Sequence, residues 1–111
     1  MISEKELEKI FAGEIKKAGG RAYKFTSPGN DGVPDRIVLL PDGKIIFVEL
    51  KTDTGRLTRL QSVQCKRIAS LGQEVNVLHG LSEIGDFFWR IGLDEAAANI
   101  DKIAARVEVK Q

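Results

Sequence analysis

The chain has 111 residues, enough for one domain with a single core, and its 42% hydrophobic and 30% charged content is ordinary for a globular protein. No apolar run approaches the roughly 20 residues of a membrane span, and the charged N-terminus lacks the apolar segment of a secretion signal. A single cysteine, Cys65, excludes an internal disulfide and a thiolate metal cluster. These features predict a cytoplasmic protein with no membrane partner.

The predicted elements follow the order αβββαβαα. Ser3, with Glu6 three residues later, forms a capping box that begins the first helix, and Gly19 ends it. The later elements are strands at 21–25, 35–40, 44–51 and 74–79, and helices at about 58–71, from Ser82, and from about Asp94. Helices separated by groups of strands predict an α/β (α+β) fold, a mixed central sheet flanked by helices. We expect one domain over residues 1–111, with a core at 3–79 and a C-terminal helical extension at 82–111.

The segment GVPDRIVLLPDGKIIFVELKT, residues 32–52, predicts a β-hairpin with charged residues at the ends of apolar strands. Its LPDG turn sets a register in which Asp35 faces Glu49 across the ladder. Because side chains alternate along a strand, both carboxylates share one face with Lys51. Apolar residues occupy both faces, so we expect an inner hairpin of a sheet that is covered on both sides.

The two opposed carboxylates repel each other, and their burial requires a positive partner. Lys51 can neutralise one of them, whereas a divalent cation such as Mg²⁺ or Mn²⁺ would neutralise both. From the hairpin alone, a Glu49–Lys51 pair beside an unrelated Asp35 cap is an open alternative interpretation.

Polar residues also interrupt the apolar stripes of the first two predicted helices. Glu14 lies inside the stripe of the first helix, where it could reach the same cation or pair with a Lys or Arg at the edge of the core. In the second helix, Gln61 and Gln64 fall within a stripe that includes Leu60 and Leu71. Gln61 lies near the helix start, which is the end nearer the hairpin.

Charge is unevenly distributed, although the formal net charge is only +1. Residues 51–67 carry five cations and one acid, whereas residues 83–108 carry six acids and three bases. A polyanion would be attracted to the first segment and repelled by the second, unless both are simply solvated helix faces. The cations expected to contact DNA are Arg56, Arg59, Lys66 and Arg67.

Together these residues resemble the PD-(D/E)XK nuclease superfamily. Pro34-Asp35, a gap of thirteen residues and then Glu49-Leu50-Lys51 match its motif. The stretch GVPDRIVLLPDGKIIFVELKTDTGRLTRLQ is most similar to the virus-type replication-repair nuclease (VRR-NUC) domain. The resemblance implies an αβββαβ restriction-endonuclease-like core and a metal-dependent DNA endonuclease. Stand-alone phage and bacterial members of this type are associated with branched DNA, including four-way (Holliday) junctions, and with dimers.

The resemblance also implies a role for each matching residue. The ligands of Mg²⁺ or Mn²⁺ would be Asp35, Glu49, the backbone carbonyl of Leu50 and, directly or through water, Glu14. Lys51 would orient or activate the attacking water and stabilise charge on the phosphorane. Gln61 matches the glutamine of the family's second helix.

Two rival functions stay open. One is a catalytically silent module of the same fold that binds DNA or a protein, which the intact Asp35, Glu49 and Lys51 disfavour. The other is an RNA or tRNA-intron endonuclease with a histidine-based site. The single histidine, His79, ends a strand and is expected to be structural or at the surface.

The segment after Ser82 offers apolar side chains for a subunit interface. Trp89 lies off the core stripe of its helix and could pack against the last helix or against a second subunit. A further stripe beyond the nuclease core consists of Leu93, Ala96, Ala97, Ile100, Ala104 and Val107. Since symmetric cleavage of a four-way junction needs two sites, we expect a homodimer or a dimer of dimers, in the bacterial host cytoplasm if a phage encodes it.

Overall fold

The computed structural model describes residues 2–110, so Met1 and Gln111, the ends of the predicted domain, lie outside it. The predicted order αβββαβαα is confirmed. The elements are α1 (Glu4–Lys17), β1 (Arg21–Lys24), β2 (Arg36–Leu39), β3 (Ile45–Lys51), α2 (Arg59–Ser70), β4 (Glu74–His79), α3 (Gly80–Arg90) and α4 (Asp94–Lys110). Within the described residues, no helix combines the length and the apolar character needed to cross a membrane.

Helix ends follow the local sequence at α1 and α2 but not at α3. Ser3 and Thr58 each complete a capping box, with Glu6 and Gln61 as the returning side chains. The prediction that Ser82 caps α3 is wrong, because the helix begins at Gly80, directly after β4. The chain turns there through a positive φ of 71° at Gly80, a conformation that glycine adopts without steric penalty.

The four strands form one mixed sheet in the order β1-β2-β3-β4. The β1–β2 and β2–β3 pairs are antiparallel, and the β3–β4 pair is parallel. In the hairpin, Ile37 pairs with Phe47 and Leu39 with Ile45, which is the register that the LPDG turn predicts. The turn closes through a 2.9 Å hydrogen bond from the Gly43 N–H to the Leu40 carbonyl.

The hydrophobic core lies on one face of the sheet, between the strands and helices α1, α3 and α4. Its central strand residues are Val38, Ile46, Val48 and Leu50, all fully buried. Its helical residues include Leu7, Phe11, Ile15, Ile84, Phe87, Phe88, Ala96, Ala97 and Ile100. The expected boundary at residues 79–82, between the nuclease core and the C-terminal extension, coincides with the end of β4. The hydrophobic core continues past this boundary into α3 and α4. The expectation that the α4 stripe is free for a second subunit is wrong, since Ala96, Ala97 and Ile100 are buried in the hydrophobic core of the same chain.

The opposite face of the sheet is only partly covered, which corrects the expectation of a sheet covered on both sides. Helix α2 lies on this face, where its Gln61 contacts Glu49 of β3. The hairpin end of the face is left open, and the paired residues Leu39 and Ile45 are 38% and 51% exposed. One helix of twelve residues is too narrow to cover four strands.

The predicted apolar stripe of α2 is also wrong in part. Cys65 is the buried residue of this helix, with Gln61 and Ile68 half-buried beside it. Leu60 and Leu71 are 55% and 74% exposed, because they lie on a flank of the helix that the sheet does not reach. The exposed Leu60 and Leu71 thus leave apolar surface on the same side of the molecule as the open part of the sheet.

Candidate active site

Asp35 and Glu49 meet at the end of β3, as the hairpin register predicts. Glu49 is fully buried, and its Oε1 accepts a 3.1 Å hydrogen bond from the backbone N–H of Asp35. In return, Oδ2 of Asp35 accepts a 3.0 Å hydrogen bond from the backbone N–H of Leu50. Each carboxylate is therefore held by the backbone of the other strand, which fixes both groups before any ligand binds.

A third carboxylate comes from Glu4, in the first turn of α1. One oxygen each from Glu4, Asp35 and Glu49 lie within 4.8 Å of one another, so the group could hold a metal ion. Three hard oxygen donors suit Mg²⁺ or Mn²⁺ better than a soft metal. Sequence reasoning missed Glu4 because acidic residues are common in the first turn of any helix, where they complement its dipole.

Glu14, the residue expected to assist the cation, lies elsewhere. It is ten residues after Glu4, about 15 Å further along the axis of α1. Its carboxylate is buried, accepts a 2.9 Å hydrogen bond from Asn99 of α4 and pairs with Lys17 at 3.0 Å. The expectation that Glu14 reaches the cation is therefore wrong, and the alternative of a salt bridge at the core edge describes its contacts.

Lys51 and Gln61 both approach the buried carboxylate of Glu49. The Nζ of Lys51 lies 3.6 Å from Oε2 of Glu49, and its side chain is only 10% exposed. The Nε2 of Gln61 donates to the same oxygen at 3.3 Å. The capping box with Thr58 fixes Gln61 at the start of α2, so the amide cannot easily turn away. The sequence correctly indicated that Lys51 and Gln61 come together here.

Burial raises the pKa of Glu49 from 4.5 to about 7, and the neighbouring charge of Asp35 adds to the rise. Lys51 and the backbone hydrogen bond from Asp35 act in the opposite direction, and Glu4 adds a small further rise. Burial and the charge of Asp35 together thus outweigh the effect of Lys51, and the ionised form of Glu49 is disfavoured. A divalent cation would supply positive charge and favour the ionised form of Glu49.

The backbone of Leu50 offers a further oxygen. Two positions beyond the last described pair of the hairpin, Arg36 with Val48, the same register would set Leu50 opposite Pro34, in the hydrogen-bonding orientation shared by Leu40 and Lys44. Proline has no N–H, so this pairing provides no ladder donor for the Leu50 carbonyl. The carbonyl points to the same strand neighbour as the Leu50 N–H, which binds Asp35. Binding of a metal ion by the Leu50 carbonyl stays a prediction.

The four cations expected to bind DNA lie on or just before α2. Arg56, Arg59, Lys66 and Arg67 are all exposed. Helix α2 begins beside the carboxylates, through Gln61, so these cations extend outward from the candidate site. Their contact with DNA stays a prediction.

Comparisons with known proteins find relatives described as nucleases or as VRR_NUC domains. The chain is 50% identical over 78 residues to "Putative nuclease p44" of Acyrthosiphon pisum secondary endosymbiont phage 1, covering 70% of this chain and 84% of the relative. A solved structure described as "VRR_NUC domain" has a TM-score of 0.71 at 27% identity, covering 78% of this chain and 94% of that chain. A second, "VRR_NUC domain protein", has a TM-score of 0.66 at 17% identity, covering 81% and 88% respectively, and shows the fold alone. No family model matches the chain.

A mixed sheet with two carboxylates and a lysine at the end of its inner hairpin defines a nuclease of the PD-(D/E)XK class. Within that class, the chain belongs to the VRR-NUC family.

The different positions of Glu4 and Glu14 lead to opposite expectations for two matched substitutions. Glu4→Gln should reduce DNA cleavage about 10- to 100-fold through weaker metal binding, with little effect on folding. Glu14→Gln should leave kcat unchanged and reduce the free energy of unfolding by about 1–3 kcal/mol, because it weakens the buried contacts with Lys17 and Asn99. Turnover at varied Mg²⁺ and urea denaturation measure the two effects. Loss of turnover in Glu14→Gln at unchanged stability would restore Glu14 as a site residue.

Proposed function

We propose that this nuclease is a divalent-metal-dependent DNA endonuclease that acts on branched DNA, such as four-way junctions. The observation that carries the proposal is the convergence of Glu4, Asp35 and Glu49 within 4.8 Å, with Lys51 beside them. Like charges gathered at a buried position destabilise a fold, so their retention calls for a function. The pKa of Glu49 is raised by burial and by the charge of Asp35, and a bound cation would offset both effects.

The residues that would hold Mg²⁺ or Mn²⁺ are Asp35, Glu49 and the Leu50 carbonyl, with Glu4 directly or through water. A bound divalent cation lowers the pKa of a coordinated water and offsets charge on a phosphodiester. Asp35 and Glu49 are pre-positioned for this by their backbone hydrogen bonds, so little reorganisation accompanies binding.

Lys51 and Gln61 would act on the substrate side of the carboxylates. Lys51 is a point cation that can orient the attacking water and stabilise the extra negative charge of the transition state. Gln61 keeps Oε2 of Glu49 in place and presents the second donor hydrogen of its amide. The exposed cations Arg56, Arg59, Lys66 and Arg67 would neutralise phosphates along the flanking DNA.

Two copies of the chain would supply the two cuts that a four-way junction requires. Among the residues after Ser82 whose side chains the structure describes, Trp89, 63% exposed, is the one exposed large apolar residue. We instead place the interface on the open part of the sheet, away from the cations of α2. Three of the seven large apolar side chains exposed within the described residues lie there, on neighbouring strands: Tyr23, Leu39 and Ile45. Contiguous exposed apolar surface of this kind marks an interaction site.

This interface predicts opposite outcomes for two surface substitutions. Ile45→Glu should convert the dimer to a monomer at micromolar concentration, because it introduces two charges into a symmetric apolar contact. Trp89→Ala should leave the dimer intact. Light scattering on both variants, beside circular dichroism to confirm the fold, measures the difference. If Trp89→Ala alone dissociated the dimer, the interface would lie on α3. If the wild type were monomeric, the chain would have no such interface.

A catalytically silent module is the alternative function, and the complete set of Asp35, Glu49, Lys51 and Gln61 argues against it. The deciding experiment incubates the purified protein with linear, flapped and four-way DNA, in Mg²⁺, Mn²⁺ or EDTA. Metal-dependent cleavage that favours the branched substrates is expected. Undiminished cleavage in EDTA would exclude the metal, and equal cleavage of all three DNAs would exclude the selectivity. The relative from a phage supports a role in the cytoplasm of a bacterial host.

A further inference from the structure

His79 lies beside Lys51 although the two are far apart in sequence. They are Cα partners in the parallel ladder between β3 and β4, at the C-terminal ends of both strands. Adjacent strands are about 4.8 Å apart, and paired residues direct their side chains to the same face of a sheet. His79 therefore extends the row of polar groups that begins with Glu49 and Lys51, on the side away from Asp35.

The imidazole of His79 is held by a carboxylate. Its Nδ1 lies 3.3 Å from Oε1 of Glu83, and the same oxygen accepts the backbone N–H of His79 at 3.0 Å. The carboxylate favours a proton on Nδ1, so Nε2 is the nitrogen left for a ligand. The His79 side chain is 31% exposed, which leaves it accessible to a large substrate.

We propose that His79, oriented by Glu83, binds a DNA phosphate next to the one at which the strand is cut. The inference rests on the proposed function, since it assumes that DNA crosses the end of β3. When both nitrogens carry a proton, Nε2 donates to a phosphate oxygen while Nδ1 donates to Glu83. The successive phosphates of one strand are several ångströms apart, a spacing comparable to that of adjacent β-strands.

Such a contact makes DNA affinity depend on pH, because histidine changes charge between about pH 5 and 8. The charged groups around His79 are Lys51 on β3, Glu83 on α3 and Asp53, whose carboxylate lies against Gly80. Glu49 also titrates near neutral pH, so its contribution must be removed from the measurement.

The test therefore uses Glu49→Gln as the background, which abolishes that titration. Affinity for a flapped DNA is measured by fluorescence anisotropy in EDTA at pH 5.5 and pH 8, over a range of salt concentrations. We expect binding to strengthen at least about fivefold at pH 5.5, with the salt slope steeper by about one unit. Adding His79→Gln should remove both changes, and adding Glu83→Gln should reduce them. Lys66→Gln, the matched control, should lower the slope by about one unit at both pH values.

Two results would overturn the role of His79. One is a pH dependence that survives His79→Gln. The other is an equal loss of affinity at both pH values together with a lower melting temperature, which would make His79 only the cap of α3. Cleavage by the wild type in Mg²⁺ is measured separately. If the wild type binds DNA without cutting it, the proposed endonuclease fails while the binding test of His79 remains valid.

Discussion

Glu49→Gln should abolish DNA cleavage and, in the absence of metal, stabilise the fold. A bound divalent cation contributes several kcal/mol to the transition state, and a loss of about 4 kcal/mol corresponds to a rate about 1,000-fold lower. The stabilisation arises because the buried Glu49 has a raised pKa of about 7. Between pH 4.5 and 7 the folded protein retains a proton that the unfolded chain releases, so rising pH destabilises the wild type.

The neutral amide has no such dependence, so the advantage of Glu49→Gln should grow through this window. At pH 8 it should approach about 3 kcal/mol, whereas near pH 4 it should vanish. Urea denaturation in EDTA at both pH values measures the difference. Glu108→Gln replaces an exposed carboxylate on α4 and should change neither property. A Glu49→Gln protein less stable than the wild type at pH 8 would contradict the repulsion on which the metal site is argued.

Lys51→Met should lower kcat by about 100- to 1,000-fold and leave DNA affinity within about threefold of the wild type. Methionine keeps the unbranched side chain but removes the charge that acts on the transition state. Because Lys51 lowers the pKa of Glu49, the comparison must be made at saturating metal and at pH 8 or above. Single-turnover cleavage and binding in EDTA separate the two effects.

Arg59→Gln is the matched control for Lys51→Met. Arg59 is exposed on α2 and does not reach the carboxylates, so its loss should weaken binding with a shallower salt slope and unchanged turnover. If Lys51→Met instead lost affinity and retained turnover, Lys51 would be a phosphate contact like Arg59.

Helix α1 shows where local sequence rules fail for this protein. Glu4 and Glu14 belong to one helix, and helical periodicity favours Glu14, which lies within the apolar stripe. Which acid reaches the site depends on how α1 crosses the sheet and on which end lies beside Asp35. Those are contacts with distant elements, and Asn99 of α4, a partner of Glu14, could not be assigned from the spacing within α1.

The sequence by itself determined the hairpin, its register and the opposition of Asp35 and Glu49, because turn chemistry and strand alternation act over a few residues. The VRR-NUC resemblance likewise rests on one continuous stretch. Only the tertiary structure decided that Glu4 completes the carboxylate group and that His79 stands beside Lys51. It also decided that α4 joins the core while one flank of α2 stays exposed. These outcomes depend on how each helix packs against the sheet, which the complete set of packed layers decides. They cannot be read from any single segment of the sequence.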